Sequence, residues 1–173
     1  VNVVDNHRIS VTLRQSVLEA KHLADQGITA REIVEYLEQD GLEASIYVAV
    51  NTLEYLKRSG RVTAAGAAIG TILNLKPVLQ IQGGKLDAYR KARGMRPAMQ
   101  TMIGGLKHDQ VGRFAGQKLT IRAAYSGDAE AGAAWQAELQ KAFPEMTIGL
   151  DPLPISISCH TGEGALGVGM MKD

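Results

Sequence analysis

Residues 76–90 constrain this chain more than any other stretch. Lys76-Pro77-Val78-Leu79-Gln80-Ile81 is a β-rich run headed by a proline, Gly83-Gly84 follows, and a second run extends from Lys85 to Arg90. Proline has no amide to donate, so it is tolerated at the start of a strand, where the lost ladder bond costs least. A Gly-Gly step supplies the positive φ that a tight hairpin needs. The stretch therefore predicts an antiparallel strand pair.

The flanking sequence changes period. Leu13 to Gln26 carries apolar residues at helical spacing and ends at Gly27, while Thr29 with Glu32 forms a capping box opening a helix from Ala30 to Gln39. Ala44 to Val50 reads as a buried strand, and Thr52 caps a short helix from Leu53 to Arg58 that Gly60 ends. Ala64 to Leu73, rich in Ala and Gly, reads as a tightly packed helix. Beyond the hairpin, Met95–Leu106 and Asp128–Ala142 read as helices, and Lys118–Ala124, Met146–Leu150 and Ile155–Cys159 as strands. Val1 to Val4 is short and β-branched and reads as a strand before the Asp5-Asn6 turn. The fold class is α/β: a mixed sheet with an antiparallel hairpin, layered with helices. Gly112 to Gly116 is the best candidate connector but is too short to separate domains, so residues 1–173 read as one domain. The opening without Met suggests a fragment or a processed product.

Composition narrows the function. With a net charge of +1, two Phe and one Trp, the chain lacks both the basic excess and the stacking surface of a nucleic-acid binder. Its single cysteine, Cys159, forms no internal disulfide and reads as a buried apolar residue. No apolar run nears the roughly 18 residues of a membrane helix, and no basic-apolar-small leader opens the chain. The chain reads as cytosolic, without stable membrane insertion. Gly-x-Gly-x-x-Gly, a phosphate loop and Gly-x-Ser-x-Gly are absent, so neither a nucleotide loop nor a nucleophile elbow is indicated.

Four stretches carry possible chemistry. In Asn51 to Arg61, Gly60 turns the chain so that Arg61 leaves the helix axis and can grip a carboxylate or phosphate. The plainer reading makes Arg58 and Arg61 solvated helix-end charges. Lys76 is held extended before Pro77, which gives its ammonium a direction but no function by itself. Arg90, Lys91, Arg93 and Arg96 cluster where a helix begins, forming either an anion-attracting corner or a solvated one. In His160-Thr161-Gly162-Glu163-Gly164, small residues let backbone amides approach a ligand beside a His and a Thr hydroxyl. A structural His is the competing reading there. No His/Cys spacing indicates a metal, and no cofactor is called for.

The order of these stretches resembles the DegV family over essentially the whole chain. The resemblance rests on Ala24-Asp25-Gln26-Gly27, Asn51 to Arg61, Leu73 to Leu79, Gly84-Lys85, Lys91-Ala92-Arg93-Gly94 and His160 to Gly167. It implies the C-terminal lobe of a two-lobed carrier that clasps a long-chain fatty acid, with the N-terminal lobe and its hydroxyl ligands missing. It also implies a partner fatty-acid kinase subunit that phosphorylates the carboxylate while the carrier, itself non-catalytic, holds it. By position His160, Thr161, Gly162 and Arg61 are the implied ligand-binding residues. Lys91 and Arg93 are implied at the head-group rim or the kinase contact. Glu163 stands where the family usually has proline. Two other readings stay open: an enzyme acting on a small anionic substrate with His160 as general acid/base, and a regulatory module whose basic corners bind only protein.

Overall fold

The computed structural model describes residues 1–61, 75–82 and 85–173. The expected helix over 64–73 and the Gly83-Gly84 turn lie outside the described residues, as do Leu73 and Asn74. The element order is α1 (Ser10–Asp25), α2 (Ala30–Asp40), β1 (Ala44–Ala49), α3 (Glu54–Arg58), β2 (Leu75–Gln82), β3 (Lys85–Arg93), α4 (Met95–Val111), β4 (Leu119–Tyr125), α5 (Ala129–Ala142), β5 (Gly149–Pro152), α6 (Ile155–Thr161) and β6 (Leu166–Lys172). The strands form one mixed sheet in the order β3-β2-β1-β6-β4-β5. Neighbours are antiparallel except β4 and β5, which run parallel.

Local chemistry sets several boundaries. The expected capping box opens α2: the Glu32 amide donates to the Thr29 hydroxyl, and the Glu32 carboxylate accepts from the Thr29 amide at 3.0 Å. The Thr52 hydroxyl accepts from the Glu54 amide at 3.1 Å at the start of α3, and Asp128 accepts from the Glu130 amide at 2.8 Å at the start of α5. The proline-led run pairs antiparallel with the run after the two glycines, as expected.

Helices α4 and α5 cover one face of the sheet. Tyr47, Val78, Met102, Leu106, Trp135 and Leu139 are all buried there. Each large apolar side chain removed from water contributes about 1.5–3 kcal/mol. Trp135 satisfies its indole by donating to the Gly167 carbonyl at 2.7 Å. Tyr47 lies over Gly105, where any side chain would strike its ring, and donates to Asp109 at 2.8 Å. Burial and the neighbouring Asp109 carboxylate push the Tyr47 phenol well above its ordinary value.

The structure corrects four expectations. Val1–Val4 is not a strand; residues 1–9 have no regular structure and lead into α1. The strand expected at Met146–Leu150 begins later, at Gly149, because Gln140 holds the preceding turn by donating to the carbonyls of Phe143 and Met146. Ile155–Cys159 is helix α6, not a strand. Its first turn closes onto Pro154, whose carbonyl accepts from the Ile157 and Ser158 amides at 2.9 Å. The Ile-Ser alternation there marks no buried sheet face, since Ile155 is 88% exposed. With the helix goes the expectation for Cys159, which is exposed. The central strand is instead β6, buried from Leu166 to Met171.

Candidate functional site

The other face of the sheet carries α1, α3 and α6, and between them lies a cavity of about 540 Å³. Strand register arranges its floor. Leu79, Val48, Gly167 and Ala124 stand in one row across the sheet. Leu86, Ile81 and Ile46 stand in the next row toward the start of β1. Leu56, Leu153 and Ile157 wall the end beside α3 and α6, and Ile9 and Val11 wall the end beside α1. The volume and the aliphatic walls fall in the usual range for a small-molecule site.

His160, Thr161 and Arg61 line this one cavity, so the structure brings three of the singled-out residues together. Arg61 arrives through the turn at Gly60, whose φ is +66°. The Gly60 amide donates to the Lys57 carbonyl at 3.1 Å and the Arg61 amide to Leu56 at 2.9 Å, the paired bonds that end a helix at a left-handed glycine. His160 and Thr161 occupy the last turn of α6. The His160 Nδ1 is buried and has no hydrogen-bond partner among the described residues, while the residue itself lines the cavity.

Gly162 shapes the site without lining it. Its φ is +76°, and a Cβ there would strike the Tyr55 ring. Ser126 clamps the segment that follows: its hydroxyl donates to the Gly162 carbonyl at 2.5 Å and accepts from the Ala165 amide at 3.0 Å. Asn51 adds a bond from its side-chain amide to the Glu163 carbonyl at 3.1 Å. The Glu163 side chain lies against Gly127.

Lys91 and Arg93 sit apart from the cavity lining. A bulge near Val78 and Leu79 shifts the register of β3, placing Lys91 opposite Pro77 and Arg93 opposite Leu75. Both are exposed on the outer strand of the sheet. Among the described residues no group of His, Cys, Asp or Glu is arranged to hold a metal ion, and no helix is long and apolar enough to cross a membrane.

Residues 5–10 contribute cavity residues that the sequence reading passed over. Arg8 is buried and pairs with the Asp40 carboxylate at 2.7 Å, while donating to the Asp40 carbonyl at 2.7 Å. That anchor holds His7, Ile9 and Ser10 at the cavity. His7 and Ser10 adopt φ of +56° and +48°, uncommon for residues with a Cβ. Such outliers collect where a binding site over-determines the backbone. Gly167 was also passed over as a floor residue, although glycine inside an apolar strand signals a close approach or a space kept open.

The α/β sheet thus carries on one face a largely apolar cavity that Arg61 and His160 also line. The chain belongs to the DegV family: the family model described as "Uncharacterised protein, DegV family" matches residues 1–173. A DegV domain-containing protein of Deinococcus radiodurans is 32% identical over 171 residues, covering 98% of this chain and 59% of that protein. One from Streptomyces coelicolor is 34% identical over 173 residues, covering 97% and 59%. In structure, the chain is similar to a fatty-acid-binding DegV-family protein from Thermus thermophilus, with a TM-score of 0.85 and 32% identity over 99% of this chain and 61% of that one. The chain thus spans about three fifths of the length of these relatives.

Proposed function

We propose that residues 1–173 form one lipid-binding domain that holds the acyl chain of a long-chain fatty acid in the cavity, with its carboxylate at the end marked by His160, Thr161, Gly162 and Arg61. The observation that carries this reading is an aliphatic cavity that the His160 imidazole and the Arg61 guanidinium also line. A carboxylate leaving water needs donors and positive charge, and His160 and Arg61 supply both. The fatty-acid binding of the Thermus thermophilus relative supports the same ligand class.

In this reading the domain presents the carboxylate to a partner kinase in the cytosol. One carboxylate oxygen forms the new bond to the transferred phosphoryl group, and the nucleoside diphosphate leaves on the kinase. Lys91 and Arg93, exposed on the outer strand, belong to the kinase-facing surface. The domain itself is non-catalytic. The enzyme reading has less support, because among the described residues the imidazole Nδ1 has no orienting partner of the kind an acid–base histidine normally has.

The test is native mass spectrometry of the chain with octadecanoate added, followed by acyl-phosphate formation with a fatty-acid kinase. The expected result is one fatty acid per chain, with phosphorylation lost in His160→Ala. A chain that stays empty after lipid addition would overturn the reading. Turnover of a small anionic metabolite that disappears in His160→Ala would replace it with the enzyme.

A further inference from the structure

Gly167 and Gly169 stand two residues apart on the same face of β6, yet their surroundings differ. A Cβ on Gly169 would meet methyl groups of Val11 and Thr12 at 2.9 Å, so α1 already occupies the space that this glycine leaves. A Cβ on Gly167 would meet only ordinary contacts, Ala124 Cβ and the Tyr47 carbonyl at 3.7 Å and a Val48 methyl at 3.9 Å. The space above Gly167 is cavity.

Register gives that space a position. Gly167 lies in the row with Leu79, Val48 and Ala124, between the end beside α3 and α6 and the row of Ile46 and Ile81. Anything entering at His160 must cross this row to reach Ile46 and Ile9. We infer that Gly167 sets the acyl-chain length the cavity accepts, by leaving the passage between its two halves open. This rests on the acyl-binding reading above. A short chain is housed in the near half alone, whereas a long chain needs the passage.

The test compares decanoate and octadecanoate binding to the chain by isothermal titration. Gly167→Val puts two methyl groups into the passage and is expected to weaken octadecanoate by about tenfold or more relative to decanoate, the penalty of an obstructed apolar contact. Ala124→Val narrows the same row from the neighbouring strand and is expected to act in the same direction, which keeps the test decisive if Gly167→Val does not fold. Gly105→Ala is expected to lower the melting temperature through its clash with the Tyr47 ring on the opposite face of the sheet while leaving the ratio of the two affinities unchanged. A wild-type ratio in folded Gly167→Val or Ala124→Val would overturn the inference, as would an equal change in Gly105→Ala. Wild-type protein that binds neither fatty acid would overturn the acyl reading itself, a failure seen before any variant is made.

Discussion

The Arg8 guanidinium meets the Asp40 carboxylate at 2.7 Å in an almost wholly buried pair, the two side chains being 1% and 8% exposed. Burial pushes the Asp40 carboxyl above its ordinary value, and the adjacent guanidinium offsets only part of that cost. Arg8 also donates to the Ser16 hydroxyl and to the carbonyls of Asp40, Gly41 and Glu43. Arg8→Ala leaves a buried carboxylate and several acceptors unpaired and is expected to cost about 3–5 kcal/mol. Asp40→Asn keeps the backbone contacts of Arg8 and should cost less, about 1–3 kcal/mol. Urea unfolding of the two variants checks the order. Because residues 7, 9 and 10 hang on this anchor beside the cavity, Arg8→Ala should also weaken ligand binding.

Ser126 ties the end of β4 to the segment after His160. Its hydroxyl serves both the Gly162 carbonyl and the Ala165 amide, and its backbone bonds to Ala165 and Gly164 at 2.9 Å. Ser126→Ala leaves the buried Ala165 amide without a partner and the Gly162 carbonyl with only the Thr161 hydroxyl at 3.4 Å, at about 1–3 kcal/mol. The expected outcome is a lower urea midpoint together with faster hydrogen exchange at the Gly164 and Ala165 amides. Unchanged exchange there would mean that the backbone bonds alone hold the segment.

Glu19 gives a pH dependence of definite sign. Its Oε2 is buried without a partner among the described residues, and its Oε1 accepts from the Tyr36 hydroxyl at 3.3 Å. Burial, then the nearby Asp40 and more weakly Asp173, raise its carboxyl, while Tyr36 and Arg8 pull it back. The Tyr36 phenol is pushed up to about 12 by burial and by the nearby Glu19 and Asp40 carboxylates. A raised carboxyl means that the folded state binds the proton more tightly than the unfolded state. The stability it contributes is therefore present below the ordinary carboxylate range and lost as pH rises through the raised folded value. Glu19→Gln should be more stable than the parent at about pH 7, with the difference shrinking toward about pH 4. Urea midpoints at the two pH values check the sign.

Legibility in the sequence followed the locality of the signal. The hairpin strands, the capping box at Thr29 and the glycine turn before Arg61 depend on neighbours a few residues apart, and all were readable from those neighbours. Strand β6 was not, because Gly167, Gly169, Met170 and Met171 have weak strand propensity and gain their role from burial between β1 and β4. Ile155–Thr161 misled for the opposite reason: β-branched alternation suits a strand, but Pro154 caps a helix there and Ile155 faces solvent. His160 was singled out in the wrong element yet lines the cavity all the same. His7, Ser10 and the Arg8 anchor stayed hidden because their partner, Asp40, lies some thirty residues away along the chain.

Gly162 combines two constraints that a double-mutant cycle can separate. Its φ of +76° disfavours any side chain, at roughly 1–2 kcal/mol. A Cβ at this position would also meet the Tyr55 ring at 2.5 Å. Gly162→Ala should therefore lose more than the conformational cost alone, because Tyr55 on α3 has to move. In a Tyr55→Ala background the steric part disappears and only the backbone part remains, so the glycine substitution should cost less there. The difference between the two costs is the coupling energy of the pair, expected at about 0.5–3 kcal/mol for residues in contact. Thermal and urea unfolding of the four proteins measure it. Coupling near zero would show that the ring yields freely. In that case α3 and α6 are not locked against each other at Gly162, and Arg61 and His160 hold their places through the turn at Gly60 and the Ser126 clamp instead.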